Sequence, residues 1–365
     1  MFATLDKVYR LRSSVALVEA AGTLEMFKTN VRESTRIKIA YENIIALLSQ
    51  FDGKRMLREI LENHAVDPCD GALLVDFLNS EHVLIEVDCS YHPQIFSEQY
   101  RIINLIEDYK RKTSDVVAAL DYISSSTILV VGLGAVGTWV GRNLAQSGVR
   151  NFILVDNDVI EVSNLHRQDG FFEADVGRKK VDALKDRIGE IADCSVTKID
   201  DVLDDAFFHR HALEFDLAIN CADFPSVDYT TELIGEYCMS KRIPHLVGGG
   251  YNLHLSLIGQ AVLPGQSACV RCFRHSLEKM NQADLDGVKK LHRPNRKIGS
   301  FGPLCAVSAS VTSSEAFKIL IRAYGALVSL NKRIEFRVAA NDFSTIDVAR
   351  NAFCEWCGPD GLFRN

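Results

Sequence analysis

The chain has 365 residues, of which 47% are apolar and 24% charged, proportions of a globular protein long enough for two domains and a sizeable core. Its formal net charge of −7 sets nucleic acid aside as the main partner. No stretch reads as a membrane span: Tyr122–Gly141 holds four glycines, and Leu246–Val270 carries Asn252, His254, Gln260 and Pro264.

Residues 1–90 read as a small α+β domain. Val8–Val18 alternates apolar and polar residues, and Ala20–Thr23 makes a turn. Leu24–Thr29 and Arg36–Ala40 are further strands. Asn43–Ser49 is a short apolar helix, and Lys54–Asn63 is amphipathic, with Met56, Leu57, Ile60 and Leu61 on one face. Asp67-Pro68 opens another helix, and His82–Val87 is a closing strand. Strands, then three helices, then a strand make a winged-helix-like pattern, which most often suggests DNA. Here ten Lys and Arg face fourteen Asp and Glu, a net −4, which suits a phosphate backbone poorly. The domain reads either as a peptide-binding sheet that accepts an added strand or as a packing and dimerisation domain.

Residues 91–126 form a connector with one helical core, Ser97–Leu120, carrying Arg101. The domain from 127 to 365 opens on a strand–turn–helix–strand unit. Ile128–Val131 is a buried strand, glycines follow at 132, 134 and 137, Val140–Ser147 is helical, and Phe152–Val155 is a second strand ending at Asp156. This G-x-G-x-x-G turn brings backbone and a helix N-terminus close to phosphate, and Asp156, 24 residues after Gly132, suits a ribose hydroxyl. The fingerprint reads as an adenine nucleotide site without saying which nucleotide; a glycine-rich turn that only packs helix on sheet is the alternative.

Onward from there strand and helix alternate: a charged helix Asp175–Ile191, strands Ser195–Asp200 and Leu217–Ala222, a helix Val227–Ser240, and strands Pro244–Val247 and Leu255–Leu263. Asn281–Gly299 is a polar, basic loop, Ala306–Ala323 a long helix, and Arg333–Ala339 and Thr345–Val348 are strands. The alternation predicts a Rossmann-like, doubly wound α/β sheet.

Charged and polar groups gather where such sheets bind ligands. Asp156 and Asp158 follow the second strand, Asn164, Arg167 and Gln168 come soon after, Lys180 lies early in the next helix, and Asp223 ends Leu217–Ala222. Cations beside acids fit a triphosphate with Mg²⁺ better than a dinucleotide, although any one of these residues alone also reads as a surface ion pair. Cys269/Cys272 and Cys354/Cys357 are two C-x-x-C pairs 85 residues apart. Four such thiolates match a closed structural zinc site, the alternative being redox dithiols. Cys305, opening the long helix, reads as a buried small residue or as a thiol acidified by the helix N-terminus.

Together the glycine turn, the block from Asp156 to Gln168 (D-x-D-x-I-x-x-S-N-L-x-R-Q), Asp175–Lys180 (D-V-G-x-x-K), Cys221–Asp223 (C-A-D) and both C-x-x-C pairs resemble the ThiF/MoeB/E1 family of ATP-dependent adenylating enzymes, over about residues 95–358. The resemblance implies an E1-like adenylation domain that binds ATP through Gly132, Gly134, Gly137, Asp156, Asp158, Asn164, Arg167, Gln168 and Lys180. It assigns Mg²⁺ to Asp223, and a homodimer in which Arg101 reaches the partner's phosphates. Arg167, Lys180, Asp223 and Arg101 would then carry catalysis. The N-terminal domain resembles the precursor-recognition domain of the subgroup that modifies ribosomally made peptides, the microcin C and pantocin A type. No cysteine lies between Cys272 and Cys305, which speaks against a thioester and for direct use of an acyl-adenylate. The expected function is adenylation of a precursor-peptide carboxylate in antibiotic biosynthesis. Activation of a ubiquitin-like or sulfur-carrier protein, and an NAD-binding or non-catalytic module, are the alternatives. With no secretion signal in Met1–Arg12, the expected compartment is the cytoplasm, where ten cysteines stay reduced.

Overall fold

The computed structural model describes residues 2–20, 22–39, 41–249, 251–252, 255–283 and 299–364. The chain divides into two compact units, Met1–Tyr122 and Ile123–Asn365.

The first unit runs α1 (Phe2–Leu5), β1 (Val8–Leu11), β2 (Val15–Ala20), β3 (Thr23–Lys28), β4 (Glu33–Lys38), α2 (Ile44–Leu48), β5 (Asp52–Met56), α3 (Leu57–Asn63), α4 (Pro68–Ser80), β6 (Leu84–Glu86) and α5 (Pro93–Glu107). Helix α6 (Thr113–Ser125) spans the division. Strands β5-β1-β6 form one antiparallel sheet and β2-β3-β4 a second. One apolar core joins Leu24 and Met26 of β3 to Leu47, Leu48, Leu57, Ile60, Leu61, Val75 and Leu78 of the helices. Asp67 caps α4, its carboxylate accepting the N–H groups of Cys69 (2.8 Å) and Asp70 (3.2 Å).

Three sequence readings of this unit change. The alternation over Val8–Val18 is two strands in different sheets, because Arg12 turns inward between them. Its buried guanidinium donates to the carbonyls of Leu84 (Nε, 3.1 Å) and Lys110 (Nη2, 2.5 Å). The helix expected from Lys54 starts only at Leu57. Lys54–Met56 pairs instead with β1, and Met56, assigned to the buried face, is 46% exposed. The single connector helix is two, α5 and α6, since Arg111 leaves the helix to accept the Glu86 N–H on β6.

The second unit contains β7 (Thr127–Val131), α7 (Gly137–Gln146), β8 (Asn151–Val155), α8 (Lys180–Gly189), β9 (Ser195–Ile199), α9 (Phe207–Arg210), β10 (Leu217–Asn220), α10 (Val227–Lys241) and β11 (His245–Val247). After these come β12 (Tyr251–Asn252), β13 (Leu255–Ile258), β14 (Gln260–Val262), α11 (Val270–Ala283), α12 (Gly302–Leu320), β15 (Lys332–Arg337) and β16 (Asp342–Asp347). A six-stranded sheet has the order β14-β11-β10-β7-β8-β9. Its strands are parallel except β14, which runs against β11. Central strands β7, β8 and β10 are buried almost throughout, as a parallel sheet covered on both faces demands. The doubly wound expectation holds.

Two elements here also differ. The helix read from Asp175 begins at Lys180, because Asp175 ends a 3-10 turn and Gly177 takes a φ of +89°. The strand read over Leu255–Leu263 breaks at Gly259 into β13 and β14. The former joins β12, β15 and β16 in a separate sheet. A side chain at Gly259 would stand 3.1 Å from Thr312 Oγ1 and 3.2 Å from the Val247 carbonyl, so the crossing point between sheets has room only for backbone. Of the polar loop Asn281–Gly299, residues 281–283 belong to α11 and 284–298 lie outside the described residues. No helix among the described residues is long and apolar enough to cross a membrane.

Candidate active site

A cleft of 1180 Å³ opens at the carboxyl ends of the parallel strands. Its lining includes Gly132, Gly134, Asp156, Asp158, Asn164, Arg167, Lys180 and Asp223, which the chain delivers from the segments after β7, β8 and β10. That is where an open parallel sheet binds ligands.

The glycine turn is sterically forced. Gly132 has a φ of +85°, and a Cβ there would lie 2.5 Å from the Ala222 nitrogen; one on Gly137 would lie 2.0 Å from the Gly132 carbonyl oxygen. A Cβ at Gly134 meets nothing within 4 Å, and this residue lines the cleft. The turn therefore packs tightly below and stays open above, so that α7 starts under a surface of backbone N–H groups. Gly137 is buried beneath the turn and does not line the cleft.

Asp156 is fixed from three sides. Its Oδ2 accepts the Leu133 N–H at 2.6 Å, its Oδ1 accepts the Asp158 N–H at 2.8 Å, and Lys180 Nζ stands 3.9 Å from Oδ1. Burial raises its pKa above the ordinary carboxylate value, against the pull of Lys180. Lys180 is itself buried, and its ammonium lies 2.6 Å from the exposed Asp158 carboxylate. A cation held by one movable acid can exchange that partner for a phosphate oxygen.

Asn164 closes a 3-10 turn, Val162–Asn164, with Oδ1 accepting the Glu161 N–H at 3.0 Å. Arg167 Nη1 donates to the Ser163 carbonyl at 2.6 Å, and its other guanidinium nitrogens have no partner among the described residues. Gln168 does not reach the lining; it is buried, with Oε1 lacking a hydrogen-bond partner. Asp223 is exposed and makes no ion pair or hydrogen bond among the described residues. Arg101 belongs to the first unit, on α5, where its Nε donates to Tyr100 Oη at 3.0 Å.

Asn220 is a site residue that sequence reasoning passed over. It ends β10, fully buried. Its Oδ1 accepts the Ala222 N–H (3.1 Å) and its Nδ2 donates to the hydroxyls of Thr230 and Thr231 (3.0 Å each). Thr230 in turn donates to the Ala222 carbonyl at 2.9 Å. This bracket fixes the loop that presents Asp223. The available signal was a polar residue inside an otherwise apolar strand, where an amide survives only with its hydrogen bonds met.

Cys269, Cys272, Cys354 and Cys357 converge, their sulfurs all within 4.8 Å of one another and buried. Cys269 Sγ lies 3.5 Å from that of Cys354 and 4.0 Å from that of Cys272, and Cys272 and Cys357 are 3.4 Å apart. A tetrahedral zinc with Zn–S bonds of about 2.3 Å needs sulfurs about 3.8 Å apart, so the four fit the ion. Disulfide bonds, at about 2.0 Å, are excluded by these distances. Around the cluster, the Asn351 N–H points to Cys272 Sγ at 3.4 Å, and Arg271 lies 4.3 Å over the buried Trp356 ring. Cys305 is buried, its thiol 3.3 Å from the Phe301 carbonyl, as a small core residue would be.

Comparison with known proteins gives a sequence match to the ThiF family over residues 109–356. The molybdopterin-synthase adenylyltransferase of Escherichia coli (strain K12) is 27% identical over 237 residues, which are 65% of this chain and 88% of that protein. The crystal structure of E. coli MccB with AMPCPP and MccA shares the fold at a TM-score of 0.75 and 23% identity, covering 96% of this chain and 99% of that one. PaaA follows at a TM-score of 0.67 and 19% identity, covering 92% and 99%.

Proposed function

The chain belongs to the ThiF family and is an ATP-dependent adenylyltransferase, and from that premise we propose that it activates a carboxylate of a ribosomally made precursor peptide, for natural-product biosynthesis in the cytoplasm. The observation that carries this reading is the cleft, where a phosphate-ready glycine turn, two cations and an unpartnered carboxylate face one space. In it the turn and Asp156 hold the nucleotide, and Asn164, Arg167 and Lys180 hold its phosphates, with Gln168 buried behind them and out of direct reach. Asp223 is the carboxylate suited to Mg²⁺, which when bound neutralises phosphate charge.

A peptide carboxylate oxygen attacks the α-phosphorus, the bond to the β-phosphate oxygen breaks, and pyrophosphate leaves. An intramolecular nucleophile of the peptide then displaces AMP from the acyl-adenylate, closing a ring or modifying the residue. The protein's part is positioning and charge stabilisation by Arg167 and Lys180. The Cys₄ zinc is structural, with no open coordination position. The N-terminal region, residues 1–90, recognises the peptide. Its β2-β3-β4 sheet leaves both outer strands without a further strand partner among the described residues, the edge that strand addition uses. MccB, which shares the fold, was solved with AMPCPP and MccA; the molybdopterin-synthase relative keeps a sulfur-carrier protein as the second reading.

ATP–pyrophosphate exchange separates the two. Exchange stimulated by a precursor peptide supports the lead, and exchange driven only by a Gly-Gly-ending protein replaces it.

The proposal includes a homodimer in which Arg101, on the connector 91–126, completes the partner's site. Arg101→Ala and Asp223→Ala are each expected to be inactive. Mixed and allowed to re-pair, they should recover about a quarter of wild-type exchange, one intact site in half of the dimers. No recovery after demonstrated subunit exchange would put Arg101 out of the mechanism.

A further inference from the structure

A second, smaller pocket adjoins the cleft. It measures 70 Å³ against 1180 Å³ for the cleft, and Val227 lines both. Val247 and Gln260, opposite each other on β11 and β14, place it at the carboxyl edge of the sheet, one strand beyond β10 and Asp223. Nothing in the nucleotide scheme uses it.

The wall is aliphatic and aromatic: Val227, Val247, Val270, Phe273 and Leu277. Three arginines and two acids also line it; the arginines and Glu232 are paired with one another or with neighbouring acids, and Asp228 stands exposed at the rim. Arg271 donates to Glu232 Oε1 from Nε (3.0 Å) and Nη2 (2.8 Å), and to Glu355 from Nη1 at 2.7 Å. Arg274 holds Glu232 Oε2 at 3.1 Å, and Arg333 holds Glu335 at 2.5 Å. Asp228, the other rim acid, lies in the field of Arg274. The Thr231 hydroxyl receives Asn220 Nδ2. An anionic occupant would have to break these pairs, whereas an apolar one covers the wall and strands no charge.

We propose that this pocket is the side-chain subsite for the peptide residue that flanks the activated carboxylate, and that it takes an aliphatic side chain. The inference rests on the peptide-adenylation reading above. A peptide with its reacting carboxylate beside Asp223 that extends along the strand ends past β10 reaches this pocket at β11. Selection here is by size and apolarity, and Leu277, half-buried on α11, sets the depth.

Methyl NMR of the full chain tests the pocket directly. N-acetyl-leucinamide, titrated to roughly millimolar levels as its few heavy atoms require, should shift the Val247, Val270 and Leu277 methyls saturably. N-acetyl-aspartamide should not, and Leu277→Trp should erase the Val247 and Val270 shifts while ATP affinity stays at the wild-type value. In pyrophosphate exchange, a precursor peptide with Leu at the flanking position should have a KM roughly tenfold below its Asp counterpart, and Leu277→Trp should remove that gap. Equal shifts from both amides, or none from the leucine one, would overturn the assignment. Saturating leucine shifts with no exchange from any peptide would uphold the pocket and sink the peptide reading instead.

Discussion

Asp223→Ala should cut ATP–pyrophosphate exchange by about 10³-fold or more, the loss of about 4 kcal/mol of transition-state stabilisation that one charged group at a reacting phosphate supplies. The expectation follows from what this carboxylate does not do. It is exposed in the cleft and bonds to nothing among the described residues, so its removal takes no packing or ion pair from the fold. The loop that carries it is held independently, through Asn220, Thr230 and the Ala222 backbone. The variant should therefore melt within a degree or two of wild type and still bind ATP, because the proposed ribose and turn contacts lie elsewhere, just past β7 and β8. Asp223→Asn, nearly equal in shape, should fail almost as badly, which assigns the effect to charge. The comparison needs exchange rates, a thermal melt and ATP affinity by calorimetry on the same preparations. Exchange undiminished in either variant would remove Asp223 from the mechanism.

Stripping the Cys₄ site should destabilise the second unit more than any other single change. Zinc bound by four thiolates in small peptides contributes about 10–16 kcal/mol, and that binding energy is folding energy. If one lost thiolate forfeits about a third of it, roughly 4 kcal/mol, a unit of this size should melt about 8–16 °C lower. The sulfurs are buried beside Trp356, Phe273 and Val270, so without the ion four thiols crowd an apolar corner where several thiolates could not stay ionised. Hydrogen bonding and burial already drive the Cys269 thiol above its ordinary pKa, while hydrogen bonds from Cys269 and Cys272 hold the Cys357 thiol below its own against the effect of burial. Elemental analysis should find one zinc per wild-type chain and none in Cys354→Ser, with the melt shifted accordingly. A wild type free of zinc that melts at the same temperature after exhaustive chelation would contradict the assignment.

Much of the second unit was legible because its signals are local. Buried parallel strands read as apolar runs, Gly132 and Gly137 occupy positions that no other residue could fill, and a C-x-x-C pair announces itself by spacing. The family was legible on the same motifs, and the match over residues 109–356 then met it. What escaped was decided by partners distant in sequence. Lys54–Met56 has helical periodicity but lies against β1, and Arg111 leaves its helix for Glu86 on β6. Gly259 looks like any glycine in a strand until Thr312 and Val247 close around it. Asn220 sits inside the apolar run Leu217–Ala222, and nothing in its sequence neighbours announces Thr230, ten residues on.

The 85-residue separation of the two cysteine pairs also gives the molecule a history. On a ribosome adding about 5–20 residues per second, Cys269 and Cys272 wait roughly 4–17 s for Cys354 and Cys357. By then the last strand of the six-stranded sheet, Gln260–Val262, has long been made, so the sheet can assemble before the clasp exists. With zinc as the proposed occupant, a nascent chain thus passes through a stage in which its six-stranded sheet can be built while two of the four ligands still wait for the other two. Cells short of zinc, or under oxidative stress, would meet this enzyme at its weakest during synthesis, well before it has any substrate to act on.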